Sequence, residues 1–165
     1  MKSKTVCIKL TSGDDLFAEL MVNDEESLDQ NFLKVYQPYQ ARVMNREGRV
    51  NLMLSPWQLF SDDMIFLIQA SHVISINSLD DQHTQLYGTK VTNTELKLLQ
   101  NDLAEAAKLG TITAKQIEEG LKDTLGILMK SGIRYNIQLP DLDQVKNDFY
   151  TFLMGQYKDE LKVTH

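Results

Sequence analysis

A β-sheet domain followed by a helical one is the fold class this chain of 165 residues predicts, and three observations carry it. Apolar and polar residues alternate through most of the first 78 positions, the period of half-buried strands. From Thr92 onward the apolar spacing lengthens to that of amphipathic helices. Turn residues punctuate the first part and helix caps the second. The expected domains are residues 1–78 as the sheet, 79–91 as a connector, and 92–165 as about three amphipathic α-helices.

The first strand is set by Val6, Ile8 and Leu10 alternating with Cys7 and Lys9, and Ser12-Gly13-Asp14-Asp15 supplies a turn. Leu16, Ala18, Leu20 and Val22 then form one face of a second strand, with Phe17, Glu19 and Met21 on the other. The acidic stretch Asn23 to Gln30 reads as a solvated loop. Phe32 to Met44 is extended, and Pro38, which donates no hydrogen bond, predicts a bend or an edge. Asn45-Arg46-Glu47-Gly48-Arg49 is a hairpin loop in which Gly48 takes positive φ. Val50 to Leu54 and Met64 to Ile68 are two halves of one interrupted strand or two separate strands, divided by an unusually apolar loop. Val73 to Ile76 ends the sheet.

Leu79 to Val91 is polar and reads as a connector. Thr92-x-x-Glu95 has the pattern of a capping box, followed by Leu96, Leu99, Leu103 and Ala106 on one helical face, with Gly110 as the stop. Thr113-x-x-Gln116 repeats the device ahead of Ile117, Leu121, Leu125 and Leu128, with Gly132 as terminator. Asp141 caps a third helix bearing Val145, Phe149, Phe152, Leu153 and Tyr157.

An apolar share of 42% is enough for a core, and the 24% of charged residues is an ordinary globular value. The formal net charge is −6, and neither half is basic: residues 1–91 carry 8 basic and 12 acidic side chains, residues 92–165 carry 9 and 11. Strong non-specific nucleic-acid binding is therefore disfavoured, and any RNA contact has to come from a local patch. The single cysteine, Cys7, has no intrachain partner and suits a reducing cytoplasm. No apolar run approaches a membrane span, the first residues lack the apolar core of a signal peptide, and Lys158-Asp159-Glu160-Leu161 is followed by further residues, so it is no retention signal.

Three segments carry a resemblance. Lys9-Leu10-Thr11-Ser12-Gly13-Asp14-Asp15 has the Leu-x-x-Gly strand ending, with acidic residues after it. Pro56-Trp57-Gln58-Leu59-Phe60-Ser61-Asp62-Asp63 comes second. Last is the closing segment Ile68-x-Ala70-x-x-Val73-x-x-Ile76, which contains His72-Val73-Ile74-Ser75-Ile76. In this order, residues from about 4 to 78 resemble the Sm-like family, and more closely the Sm-like proteins of marine phages that infect cyanobacteria. The resemblance implies a strongly bent five-stranded antiparallel sheet, an open barrel whose last strands leave edges for neighbouring copies to cover. It also implies a homo-oligomeric ring of five to seven subunits, RNA binding and RNA metabolism, and the cytoplasm, the host's during infection. Three departures accompany it. The family's N-terminal helix is missing, which implies that a C-terminal helix covers the barrel end. Its Asp-x-x-x-Asn uracil reader has no counterpart around Gln37 to Met44, and its Arg-Gly is here Gln69-Ala70, so the uridine site is not transferred.

Single-stranded RNA needs cations for phosphates and aromatic or amide groups for bases. Gln69 and His72 stand where the family's second-motif contacts fall, and Arg42, Arg46 and Arg49 form the densest basic cluster of the first half. The plainer alternative is that Gln69 and His72 satisfy backbone groups at a tight turn and the arginines are solvated loop charge. Tyr36 and Tyr39 are stacking candidates, or core and subunit packing. Trp57, Leu59 and Phe60 are candidates for covering by the helical half, a neighbouring subunit or a protein partner. The rival to an RNA-binding ring is a scaffold whose helices and Trp57 loop recruit a protein partner during phage assembly or host takeover. Catalysis has no support. His72, His83 and His165 are scattered, no phosphate loop or nucleophile elbow is present, and the pairs Asp14-Asp15, Asp62-Asp63 and Asp80-Asp81 fit turns rather than metal ligands. The expectation is a protein that is no enzyme, with no cofactor, no metal and no membrane partner.

Overall fold

The structure, a computed structural model, describes residues 2–22 and 31–163, with side chains described over 4–21 and 31–156. The expected acidic loop Asn23 to Gln30, the side chain of Tyr157 and His165 lie outside these. The chain forms two compact units, residues 1–87 and 88–165.

Six strands build the first unit: β1 (Lys2–Leu10), β2 (Asp15–Val22), β3 (Phe32–Arg46), β4 (Arg49–Pro56), β5 (Ile65–Gln69) and β6 (Val73–Ser78). All pairings are antiparallel, in the order β4-β3-β2-β1-β6, with β5 also on β3. By path the sheet is five-stranded, because β4 and β5 lie in line along the same neighbour. β4 ends with Pro56 opposite Tyr39, and β5 begins with Ile65 opposite Tyr36. The ladder continues into the gap from both sides. The Trp57 amide donates to the Pro38 carbonyl at 3.1 Å, and the Gln37 amide donates to the Met64 carbonyl at 2.7 Å. Residues 58–63 are thus an excursion from one interrupted strand, which resolves the two readings of this region.

The bend predicted at Pro38 is present, one residue early. Gln37 has φ +43°, and the β2–β3 register shifts between Phe17 and Glu19. A left-handed, non-glycine residue ahead of proline is unfavourable, so its surroundings must hold it. Gln37 is buried, its side-chain amide reaches Met64 Sδ, and the Tyr39 hydroxyl donates to its Oε1. The Tyr87 hydroxyl lies 2.9 Å from the Tyr36 carbonyl and 3.0 Å from that of Gln37, sharing its proton between them. Tyr87→Phe removes this donor from the buried Gln37 carbonyl and the part-buried Tyr36 carbonyl, and is expected to cost about 1–3 kcal/mol in urea unfolding with no change of native fold.

The inward faces are those the alternation predicts. Val6, Ile8, Leu10, Leu16, Ala18, Val35 and Ile68 form the barrel core, with Leu20, Leu33, Trp57, Phe66 and Val73 partly buried against it. Each large member contributes about 1.5–3 kcal/mol. The other face of β2 is covered too: Phe17 and Glu19 are buried, and the Phe17 ring meets the His83 ring edge-on at 5.8 Å. Cys7 is half-buried, and burial, reinforced by Asp15 and opposed by Lys9, pushes its thiol pKa up.

Three helices follow: α1 (Asp81–Lys108), α2 (Ala114–Tyr135) and α3 (Leu142–Val163). The expected connector over 79–91 is a correction. The chain is already helical from Asp81, and the Asp80 carboxylate accepts from the His83 amide at 2.8 Å. That bond, with a second from the His83 ring, holds the Asp80 carboxyl below its ordinary pKa. Tyr87, Gly88 and Val91 are the buried positions of this stretch. The expected capping box at Thr92 is corrected with it, because Thr92 sits inside α1 and donates to the Gly88 carbonyl.

The box at Thr113 is real, with reciprocal bonds to Gln116 of 2.9 and 3.2 Å. Gly110 (φ +67°) ends α1 as expected. Asp141 starts α3, accepting from the Asp143 amide at 3.0 Å. Gly132 does not end α2, which runs to Tyr135 and closes on Asn136 in the left-handed region. A Cβ at position 132 would lie 2.9 Å from Leu139 Cδ2, so close approach explains this glycine. Leu103, Ala107, Phe149 and Leu153 form the core of the second unit.

Candidate nucleic-acid interface

A surface cavity of about 550 Å³ opens in the first unit where the β1–β2 turn meets the end of β5. Its floor is apolar, with Leu10 and Ile68 both buried. Trp57 forms an aromatic wall. It is half-buried against the barrel core, with its ring edge-on to Phe66 at 6.2 Å. Thr11, Ser12 and Asp14 stand on one side, Gln69 and His72 on the other. The two sides are tied by the backbone, because the Thr11 amide donates to the His72 carbonyl at 2.8 Å. A volume of this size accommodates a planar base with room to spare.

Gln69 precedes and His72 ends a single 3-10 turn, Ala70–His72, that joins β5 to β6. The sequence left open whether they serve that turn or a ligand. Gln69 makes no side-chain cap, and the turn is held by main-chain bonds: the Ala70 amide donates to the Asn31 carbonyl at 2.8 Å. Neither side chain hydrogen-bonds to any other described residue, and both are exposed. An amide and an imidazole are therefore available at the mouth of an aromatic-walled pocket.

The arginines occupy a different place. Arg46 pairs directly with Arg49 across the two-residue turn Glu47-Gly48, whose φ values of +53° and +74° make it the tight hairpin expected there. Arg42 lies four residues before Arg46, and so on the same face. Opposite side chains share a face as well, which puts all three guanidinium groups on one side of the hairpin. Like charges facing each other repel, and the described residues give Arg46 and Arg49 no counter-charge. Val43 and Val50 on the opposite face are about 70% exposed, so the hairpin projects with both faces in solvent. Arg42 alone connects to the pocket: it donates to Gln40 Oε1 at 3.2 Å, and Gln40 donates to Asp14 Oδ1 at 2.7 Å. Ser12 also donates to Asp14, at 3.1 Å.

The third group divides. Trp57 belongs to the barrel and its pocket, whereas Leu59 and Phe60 lie on the excursion, 71% and fully exposed. The excursion is closed by its own bonds, from the Ser61 amide to the Gln58 carbonyl and from the Asp63 amide to Ser61 Oγ. Tyr39 takes the packing reading, buried with its ring 6.0 Å from that of Tyr87, whereas Tyr36 is half-buried and its hydroxyl accepts from the Gln37 side-chain amide. Thr11 and Ser12 went unnoticed in the sequence as pocket residues. Their signal is faint, a turn directly after the Leu-x-x-Gly strand.

No group of three or more acidic, histidine or cysteine side chains with metal-binding geometry occurs among the described residues. No described helix is long and apolar enough to cross a membrane.

Residues 7–88, just under half the chain, match the family model described as Sm_like domain. No curated protein matches the chain.

Proposed function

We propose that the protein, whose residues 7–88 match the Sm_like domain model, is a non-catalytic, ring-forming Sm-like RNA-binding protein acting on transcripts in the cytoplasm. Sm-like domains are generally associated with RNA and commonly form rings. Ring formation is supported by the open borders of the sheet. Among the described residues β4 and β5 pair only with β3, and β6 pairs only with β1. Unpaired strand edges invite pairing with another copy, and a head-to-tail contact between two different edges gives a ring when its rotation closes and an open filament when it does not. The strands at those borders carry exposed apolar residues, Ile65 and Leu67 on β5, Ile74 and Ile76 on β6. The likeness of the three segments quoted above supports a kinship with the Sm-like proteins of marine cyanophages.

The observation that carries RNA binding is the pocket, where Trp57 offers a stacking face and the unengaged Gln69 and His72 offer hydrogen bonds. Phosphates fall to the arginine face of the β3–β4 hairpin, since Asp14 makes the pocket itself unsuited to anions. Short U-rich and A-rich RNAs titrated at two salt concentrations test this. Binding weaker than about 100 μM at low salt, where phosphate contacts are strongest, rejects it. The double variant Arg46→Ala/Arg49→Ala is expected to weaken binding to both RNAs and to reduce the slope of log affinity against log salt by roughly 1–2.

One observation favours a second reading. Leu59 and Phe60 stand exposed on a self-closed loop, as a protein-docking element would. In that reading the ring is a platform for a protein partner, and loss of RNA binding at low salt together with a formed ring selects it.

A further inference from the structure

The helical unit contains a cavity of about 410 Å³ that the barrel's function does not use. Its origin lies in the sequence of α2. The buried positions of that helix are Gly120, Thr124, Ser131 and Tyr135, so along most of its length the innermost line is small. The leucines expected on this face, Leu121, Leu125 and Leu128, are only partly buried. Small side chains at the centre of a three-helix packing leave space that flanking leucines do not fill. On one side the α2–α3 connection borders the space, with Leu139 drawn onto Gly132.

The chemistry of the lining is one-sided. Leu96, Leu128, Val145 and Phe149 supply apolar walls. Thr92 and Thr124 each commit the hydroxyl to the carbonyl four residues earlier, at 2.7 and 2.8 Å, and so have methyl groups left to offer. Among the described residues no lysine, arginine or histidine lines the cavity, and the one ionisable group there is Asp148, exposed at the rim and steadied by a 2.8 Å bond from Gln144. A carboxylate or phosphate ligand would meet no positive charge here and one negative one. An apolar body with an ammonium head meets a hydrocarbon wall and a waiting counter-ion.

From this we infer that the helical unit binds a small molecule made of a compact apolar or aromatic body bearing one cationic amine, with the body between Leu96, Leu128 and Phe149 and the amine at Asp148. This site is independent of RNA binding by the barrel.

Three probes with one ring system and different heads test it on the full-length protein: naphthylethylamine, naphthylethanol and naphthylacetate. Binding is read from the methyl resonances of Leu96 and Leu128. The amine is expected to bind tightest, the alcohol about two- to fivefold weaker, as for an exposed ion pair, and the acetate weakest. Asp148→Asn, a rim substitution that leaves the core untouched, should bring the amine to the affinity of the alcohol and leave the alcohol unchanged. Methyl resonances that do not move with any probe at about 1 mM, where even weak binding registers, overturn the site. Equal affinities for all three heads, or an amine preference that survives Asp148→Asn, overturn the assigned ligand class.

Discussion

Trp57→Ala is expected to lower RNA affinity by about 5- to 150-fold, the loss of 1–3 kcal/mol that removing one stacking aromatic brings. Two features of the pocket set that magnitude. Trp57 is its only aromatic wall, and the ring is already half-buried against Phe66 and the barrel core, so ordering it for a ligand costs little. The same packing means that the variant also loses barrel stability, and the two effects have to be separated. Trp57→Phe does this, because phenylalanine keeps a stacking face and most of the apolar contact while giving up ring area. Affinity should then fall between wild type and alanine, with circular dichroism and the thermal midpoint showing both variants folded. A folded Trp57→Ala protein with unchanged affinity would move the RNA away from this pocket.

The second large effect concerns assembly. Leu67 lies on β5, whose partner-free edge borders the sheet, and its side chain is 64% exposed. A lysine there leaves the buried core intact, since the neighbouring Ile68 is the residue that points into it, but Leu67 also lines the pocket, so assembly mass and not RNA affinity is the readout. At an interface between copies the same lysine places a desolvated charge in every contact around the ring, without a partner. Leu67→Lys is therefore expected to reduce a ring to single chains of 18.9 kDa while leaving the unfolding midpoint of the barrel nearly unchanged. Native mass at equal protein concentration reads the difference.

Much of the barrel is legible in the sequence because its inward residues are local and periodic. Val6, Ile8 and Leu10, then Leu16, Ala18 and Leu20, point inward as their alternation says. Gln69 and His72 line one pocket because a single 3-10 turn, local in the sequence, brings them together. Thr11, Ser12 and Trp57 were not assigned to their pocket because only sheet register does that, and the bond from Thr11 to His72 spans most of the domain. The start of α1 was missed for a different reason. Its first turns bury little beyond Tyr87 and Val91, too sparse a pattern to announce a helix. The Thr-x-x-Glu at 92–95 imitates a cap that the backbone does not need once Asp80 has started the helix. In α2 the leucines suggested the buried face, but the chain buries the small residues between them, and the cavity follows from that choice.

Native mass spectrometry of the unmodified chain at micromolar concentration tests the central claim most directly. An Sm-like barrel closed by its own copies predicts a single assembly of five to seven times 18.9 kDa, gaining one RNA mass when a short oligonucleotide is added. A folded species of 18.9 kDa that neither associates nor takes up RNA would contradict it.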